Sequence, residues 1–240
     1  QGFAFERIRA VDGQAPELAV RAAALPQGFA GNLVGPCALA CFESHRLAWA
    51  RIAGGDAPFG MVLEDDIVLA PGFAALLDPG WVPADADIVR LETTGRRTHL
   101  ARRAVVSHGG RGLHRLRGAI LGAGAYVLAR ARAAAMLAEG EGVFRDQVDA
   151  VLFDPRSPFW PGLVTYQMCP APAIQGRGVP GCHGATWVQS SLSAERLADI
   201  RETRRGFSVR RTRLWGALRR LRQHARALRG ATRYAAVPFG

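Results

Sequence analysis

Long hydrophobic runs are missing from this chain. No stretch of 18 apolar residues occurs among its 240, although 49% of them are hydrophobic; this excludes a spanning helix and leaves enough apolar material for a substantial core. Lysine is missing altogether, so all 31 basic residues are arginine. Cysteine is scarce, and Cys37, Cys41, Cys169 and Cys182 show no C-x-x-C spacing. That excludes a zinc-finger framework and a disulfide scaffold and fits a reducing cytosol, with each thiol read as a small buried apolar group. The start at Gln1 has neither the charged region nor the apolar region of a secretory leader, and the missing initiator methionine predicts that the native beginning lies upstream. There are no internal repeats.

What is present is unevenly spread. Eleven arginines and no acidic residue lie between Thr203 and the end, and the other 20 arginines balance the 20 acids of residues 1–202, so the tail carries the whole net charge of +11. Within it Leu214, Leu218, Leu221, Ala225 and Leu228 recur at helical spacing beside Trp215, with Arg213, Arg219, Arg220, Arg222, Arg226 and Arg229 on the other faces. The pattern predicts a basic amphipathic helix, suited to an anionic bilayer at up to about 1 kcal/mol per arginine near the surface. Docking of the Leu face on the body is an equal alternative. A nucleic-acid arm seldom needs a regular Leu stripe, which argues against nucleic acid as a partner.

In Gly60–Leu69, GMVLEDDIVL, an apolar run ends in Glu64, Asp65 and Asp66. Met61, Val62 and Leu63 predict a short buried strand with the acids at its carboxyl end, where open α/β sheets bind ligands. Carboxylates ~4 Å apart repel by about 4 kcal/mol at an intermediate dielectric, and a hard divalent ion reverses that sign. A solvated turn fits the same three residues equally well.

Elsewhere strand and helix patterns alternate, predicting a layered α/β domain over 1–202 followed by the 203–240 tail. A helix is expected over 36–53, opened by Pro36 and closed by Gly54-Gly55, and a short one from Pro71 to Leu77. Asp87–Thr93 predicts a strand carrying Glu92 near its carboxyl end. The Gly- and Arg-rich stretch 95–118 predicts a long surface loop. Gly122–Leu128, which includes Tyr126, returns to strand, with small residues that admit a ligand or another backbone, and a helix follows over 129–137. In RDQVDAVLFD, Asp149 either caps a helix or projects into a cleft, and Asp146 and Asp154 are further candidates. YQMCPAPAIQ cannot be helical, and its Gln167 and Gln175 offer amides suited to sugar hydroxyls.

These pieces follow the order of a known family. ACFESHRLAW (40–49), VLEDDIVL (62–69), IVRLET (88–93), GAGAYVLARA (122–131), VDAVLF (148–153), the 170–175 segment and the Arg-rich tail ending in VPFG resemble glycosyltransferase family 25, in particular the bacterial lipooligosaccharide β-1,4-galactosyltransferases. The resemblance implies a GT-A-like α/β/α domain for nucleotide-sugar transfer, lacking here the first strand with which the family begins. It implies inversion at the anomeric carbon, a UDP-sugar donor, most simply UDP-galactose with glucose or N-acetylglucosamine as alternatives, and Mn²⁺ or Mg²⁺ on the diphosphate. Asp66 and Glu64, supported by Asp65, take the place of the family's acidic metal motif. Asp149 matches the V-D motif as base, with Glu92 in reserve; Ser44 and His45 match the S-H pair, and Tyr126 and Gln175 complete the expected donor contacts. A saccharide acceptor on lipid would put the protein on the cytoplasmic face of the inner membrane, held by 203–240. A metal-dependent phosphohydrolase and a non-catalytic membrane adaptor are the readings from other classes.

Overall fold

The computed structural model describes residues 2–29, 34–144, 146–176 and 230–240. The predicted basic helix and Cys182 lie outside the described residues. Four helices are present among them: α1 (Pro16–Ala24), α2 (Pro36–Ala53), α3 (Arg130–Ala138) and α4 (Val148–Phe153).

Helix α2 has the bounds its punctuation predicts. Gly35 is extended, Pro36 supplies a φ already suited to the first turn, and at the other end the Gly54 N–H donates to Ala50 O at 3.0 Å. Its inner face buries Leu39, Phe42, His45 and Trp49. The ring of Phe42 meets Trp49 at 5.7 Å and Phe144 at 5.0 Å between centroids, both edge to face. Leu47, by contrast, is exposed.

Eleven strands are described: β1 (Phe59–Leu63), β2 (Ile67–Leu69), β3 (Ile88–Arg90), β4 (Glu92–Thr93), β5 (Arg97–Ala101), β6 (Val106–His108), β7 (Arg111–Arg115), β8 (Ala125–Ala129), β9 (Thr165–Cys169), β10 (Ala173–Gln175) and β11 (Thr232–Ala236). Six form the main sheet in the order β1-β8-β3-β9-β7-β6, in which β3 and β9 are parallel and the other pairs antiparallel. Alternation along the strands divides the core. Ile88, Tyr126 and Leu128 face the side covered by α2, α3 and α4, while Val89, Ala125, Val127 and Met168 face Phe73, Leu76 and Trp81. Phe73–Leu76 and Pro79–Trp81 are 3-10 turns, so the fold is mixed α/β with its regular helices on one side of the sheet.

Three expectations are corrected. The strand before the acids is the outer strand of the sheet, and of its five residues only Val62 is buried. The strand expected over 87–93 breaks at Leu91, so β3 stays in the main sheet while β4 joins β2 and β10 in a second sheet of three. The 95–118 stretch is not a loop but three strands. β6 and β7 extend the main sheet, and β5 pairs with β11 from the end of the chain. There Val237 is buried and its carbonyl accepts from the Thr93 hydroxyl at 2.6 Å.

Candidate active site

The segment Leu121–Gly124, just before β8, is held from four directions. The fully buried Arg90 guanidinium donates to Leu121 O at 2.7 Å and Gly122 O at 3.1 Å. The Asp149 carboxylate, brought up by the first turn of α4, accepts from the Gly122 N–H at 3.0 Å. Glu92 accepts from the Gly124 N–H at 2.8 Å, and Gly124 O accepts from the Glu64 N–H at 2.8 Å. Sequence-distant carboxylates therefore converge on one short backbone. Glycine is favoured there: a Cβ on Gly122, whose φ is +94°, would lie 2.7 Å from Glu92 Oε1, and one on Gly124 would lie 2.6 Å from Ile67 Cδ1 and 3.3 Å from Glu64 Oε2.

Glu92 is the most perturbed member. It is fully buried, its Oε1 has no hydrogen-bond partner, and Arg90 lies 3.7 Å from its Oε2. Burial pushes its pKa up from the usual carboxyl range to about 7; Arg90 and the Gly124 N–H oppose the rise, and the nearby charges of Glu64 and Asp66 add to it. The carboxyl thus holds its proton more tightly in the folded chain than in the unfolded one. That stabilisation is complete below the unfolded pKa of 4.5 and is lost as pH rises through about 7, a difference of about 3 kcal/mol at roughly 1.4 kcal/mol per unit. Urea unfolding in chelator at pH 5 and pH 8 should show wild type losing about that much more stability than Glu92→Gln. Equal losses in the two proteins would show that Glu92 does not titrate in this window.

His45 is the second buried focus. Its Nδ1 meets the Tyr126 hydroxyl at 2.9 Å, its Nε2 meets Glu64 Oε1 at 3.1 Å, and Trp49 Nε1–H donates to the same hydroxyl at 2.7 Å. Burial opposes the imidazolium, but Tyr126, Cys41 and Glu64 outweigh it and raise the His45 pKa well above its ordinary value. Tyr126 is itself fully buried, and burial pushes its phenol pKa up.

The other expected residues divide into those near the cluster and those elsewhere. Glu64 keeps 29% of its side chain exposed, Asp65 is exposed in the turn after β1, and Asp66 is half-buried beside β10. Gln175 pairs with Ile67, and the next N–H, of Gly176, donates to Asp66 O at 2.8 Å. Asp149 is the second residue of its helix and not the N-cap, which is Gln147. Ser44 binds other backbone: it donates to Ala40 O at 2.8 Å and accepts from the Val11 N–H at 3.0 Å. Gln167 is fully buried and accepts from Arg90 at 2.9 Å, so it supports the core and does not reach a surface sugar. Asp154 pairs with Arg156 at 2.7 Å, and Asp146, also fully buried, accepts from the Gln147 N–H at 2.8 Å. Arg90 went unremarked in the sequence, and Cys41, read there as a small buried apolar group, is only partly buried. An arginine within a strand otherwise made of Ile, Val and Leu was the available signal for the first, and the four-residue spacing to His45 for the second.

Residues 1–151 match the model of glycosyltransferase family 25, described as an LPS biosynthesis protein. The chain belongs to glycosyltransferase family 25. The matched span holds every carboxylate of the convergence, from Glu64 to Asp149. This family-25 chain is also similar to the lacto-N-neotetraose biosynthesis glycosyltransferase LgtB of Neisseria gonorrhoeae, 33% identical over 78 residues. That stretch is 30% of this chain and 28% of the relative. Among the described residues no helix is long and apolar enough to cross a membrane.

Proposed function

We propose that the chain is an inverting glycosyltransferase that moves a sugar, galactose in our reading, from a UDP-sugar to a saccharide acceptor of lipooligosaccharide or lipopolysaccharide. One observation carries the reading: Glu64, Glu92 and Asp149 meet on a single glycine-bearing segment, with the charge of Asp66 felt at Glu92. In a GT-A-like domain this is where a donor diphosphate would lie.

By donor type the acidic cluster suits a hard divalent ion, although its three carboxylates are not gathered as a set within 4.8 Å of one another among the described residues. Glu64, Asp65 and Asp66 offer only oxygen donors, and each keeps some exposure. Mn²⁺ or Mg²⁺ there would serve as the Lewis acid that neutralises the leaving diphosphate. Asp66 and Glu64 would hold it, with Asp65 in support. Access separates the two candidate bases. Asp149 keeps 6% of its surface exposed, whereas Glu92 has none, so Asp149 takes the acceptor hydroxyl's proton and Glu92 sets the field around it. His45 and Tyr126 fix the Glu64 side chain from behind, and Gln175 borders the Asp66 side. Ser44 holds the N-terminal segment against α2.

The basic 203–229 segment is proposed to hold the active site against the anionic cytoplasmic face of the inner membrane, close to a lipid-borne acceptor. Because β11 and Val237 pack on the body, its test is substitution and not truncation. The decisive experiment screens UDP-galactose, UDP-glucose and UDP-N-acetylglucosamine for Mn²⁺-dependent UDP release with soluble and vesicle-borne acceptors. We expect release that depends on acceptor and metal, and a loss on vesicles alone when Arg219, Arg220, Arg222 and Arg226 become Gln. Release of inorganic phosphate in place of UDP would favour a phosphohydrolase, and no turnover with any donor would favour a membrane adaptor.

A further inference from the structure

We infer that Cys41, His45 and Glu64 form a binding site for a thiophilic divalent ion, Zn²⁺ by the chemistry of its donors, distinct from the all-oxygen site proposed for the diphosphate metal. The three donor atoms, one sulfur, one imidazole nitrogen and one carboxylate oxygen, all lie within 4.8 Å of one another. The His45 Nε2 to Glu64 Oε1 separation is 3.1 Å. Bond lengths of about 2.3 Å to sulfur and 2.0–2.2 Å to nitrogen and oxygen give a tetrahedral ion donor-to-donor edges of roughly 3.4–3.6 Å. Small side-chain rotations would bring the three donors onto those edges.

Local structure favours the arrangement. Cys41 and His45 are four residues apart on α2, so their side chains project from the same face of the helix, and Glu64 reaches them from the end of β1. The ring of His45 is already oriented. Its Nδ1 is held by the Tyr126 hydroxyl, which Trp49 fixes in turn, leaving Nε2 as the nitrogen directed at Glu64. A ligating histidine whose second nitrogen is held by a buried partner is the usual outer-shell design of zinc sites. Cys41 and Glu64 are partly exposed, which provides an entry path and an open fourth position for water.

The donor set selects the metal. A thiolate with an imidazole suits Zn²⁺ and disfavours Mg²⁺ and Mn²⁺, which seek oxygen. Binding releases the thiol proton of Cys41 and the Nε2 proton of His45 to solvent and forms the metal–sulfur and metal–nitrogen bonds in their place. Glu64 would belong to both sites. If the proposed transfer reaction holds, zinc would withdraw Glu64 from the diphosphate metal and inhibit, but ion binding itself needs no donor or acceptor.

The test is a Co²⁺ titration of the full chain without substrate, read in the near-ultraviolet and visible. We expect one equivalent to give a thiolate-to-cobalt charge-transfer band with the intense ligand-field bands of a four-coordinate ion, bleached by Zn²⁺ and not by Mg²⁺. Cys41→Ser and Cys41→Ala should abolish the charge-transfer band, whereas Cys37→Ser and Cys169→Ser keep it. Tyr126→Phe should weaken Zn²⁺ binding by on the order of 10–100-fold, the range for lost outer-shell partners. No charge-transfer band in wild type, or one that survives in both Cys41 variants, would overturn the assignment. Loss of UDP release with the cobalt spectrum intact would count against the transferase reading alone.

Discussion

Asp149→Asn should lower the kcat of sugar transfer by about 10²–10⁴-fold, the range associated with a positioned general base. Asparagine keeps the shape of the side chain, and its amide oxygen can still accept from the Gly122 N–H that Asp149 holds at 3.0 Å. The amide cannot take a proton from an acceptor hydroxyl. One of the two backbone donors now satisfied by the carboxylate, Gly122 N–H or Ala150 N–H, loses its acceptor, a cost of about 1–3 kcal/mol that urea unfolding would register. The two losses are separable. The catalytic one should remain in experiments well below the unfolding transition, with donor KM little changed. Asp154→Asn is the control, because that carboxylate closes the same helix and pairs with Arg156. A near-wild-type kcat in Asp149→Asn would remove the base role from this residue.

Gly122→Ala should destabilise the fold by about 2–5 kcal/mol, combining backbone strain at φ +94° with overpacking of the new methyl against the Glu92 carboxylate. The contact is severe because Glu92 has nowhere to go: Oε2 is held by Gly124 N–H, and the side chain is fully buried beside Arg90. Gly72→Ala supplies the comparison. That glycine also has a positive φ, +78°, but nothing lies within 4 Å of its Cβ, so it isolates the strain. Unfolding by urea should therefore place Gly122→Ala well below Gly72→Ala. If the two lose equal stability, the Glu92 carboxylate is not packed against residue 122.

Local punctuation made part of this molecule readable. Pro36 and Gly54 set the bounds of α2, and small residues followed by Tyr126, Val127 and Leu128 announced β8. The arginines concealed β5. Thr98 and Leu100 are buried while Arg97 is exposed, an alternation that can be seen once the charged residues are taken as one face of a strand. Its partner β11 begins 131 residues after β5 ends, beyond the reach of any local pattern. The acidic cluster stood out because three acids followed an apolar run, and Asp149 because it matched a short motif. Their meeting on Gly122 and Gly124 could not be read, since it depends on how β1, β4, α4 and the segment before β8 cross. Ser44 and His45, adjacent in sequence, went separate ways for a simple reason. Neighbours on a helix point about 100° apart, so the serine meets the N-terminal segment while the histidine enters the core.

The pairing of β5 with β11 also sets an order of events during synthesis. Residues 97–101 leave the ribosome long before residues 232–236, and at about 5–20 residues per second the intervening chain takes roughly 7–26 s to make. Through that interval the β5 edge has no strand to receive it, and the Thr93 hydroxyl waits for the Val237 carbonyl. The main sheet is complete once Cys169 has been made, but this edge closes only when translation is nearly over. A polypeptide cut short in the arginine-rich segment would carry its clustered carboxylates in place and an open strand exposed to any neighbour able to pair with it.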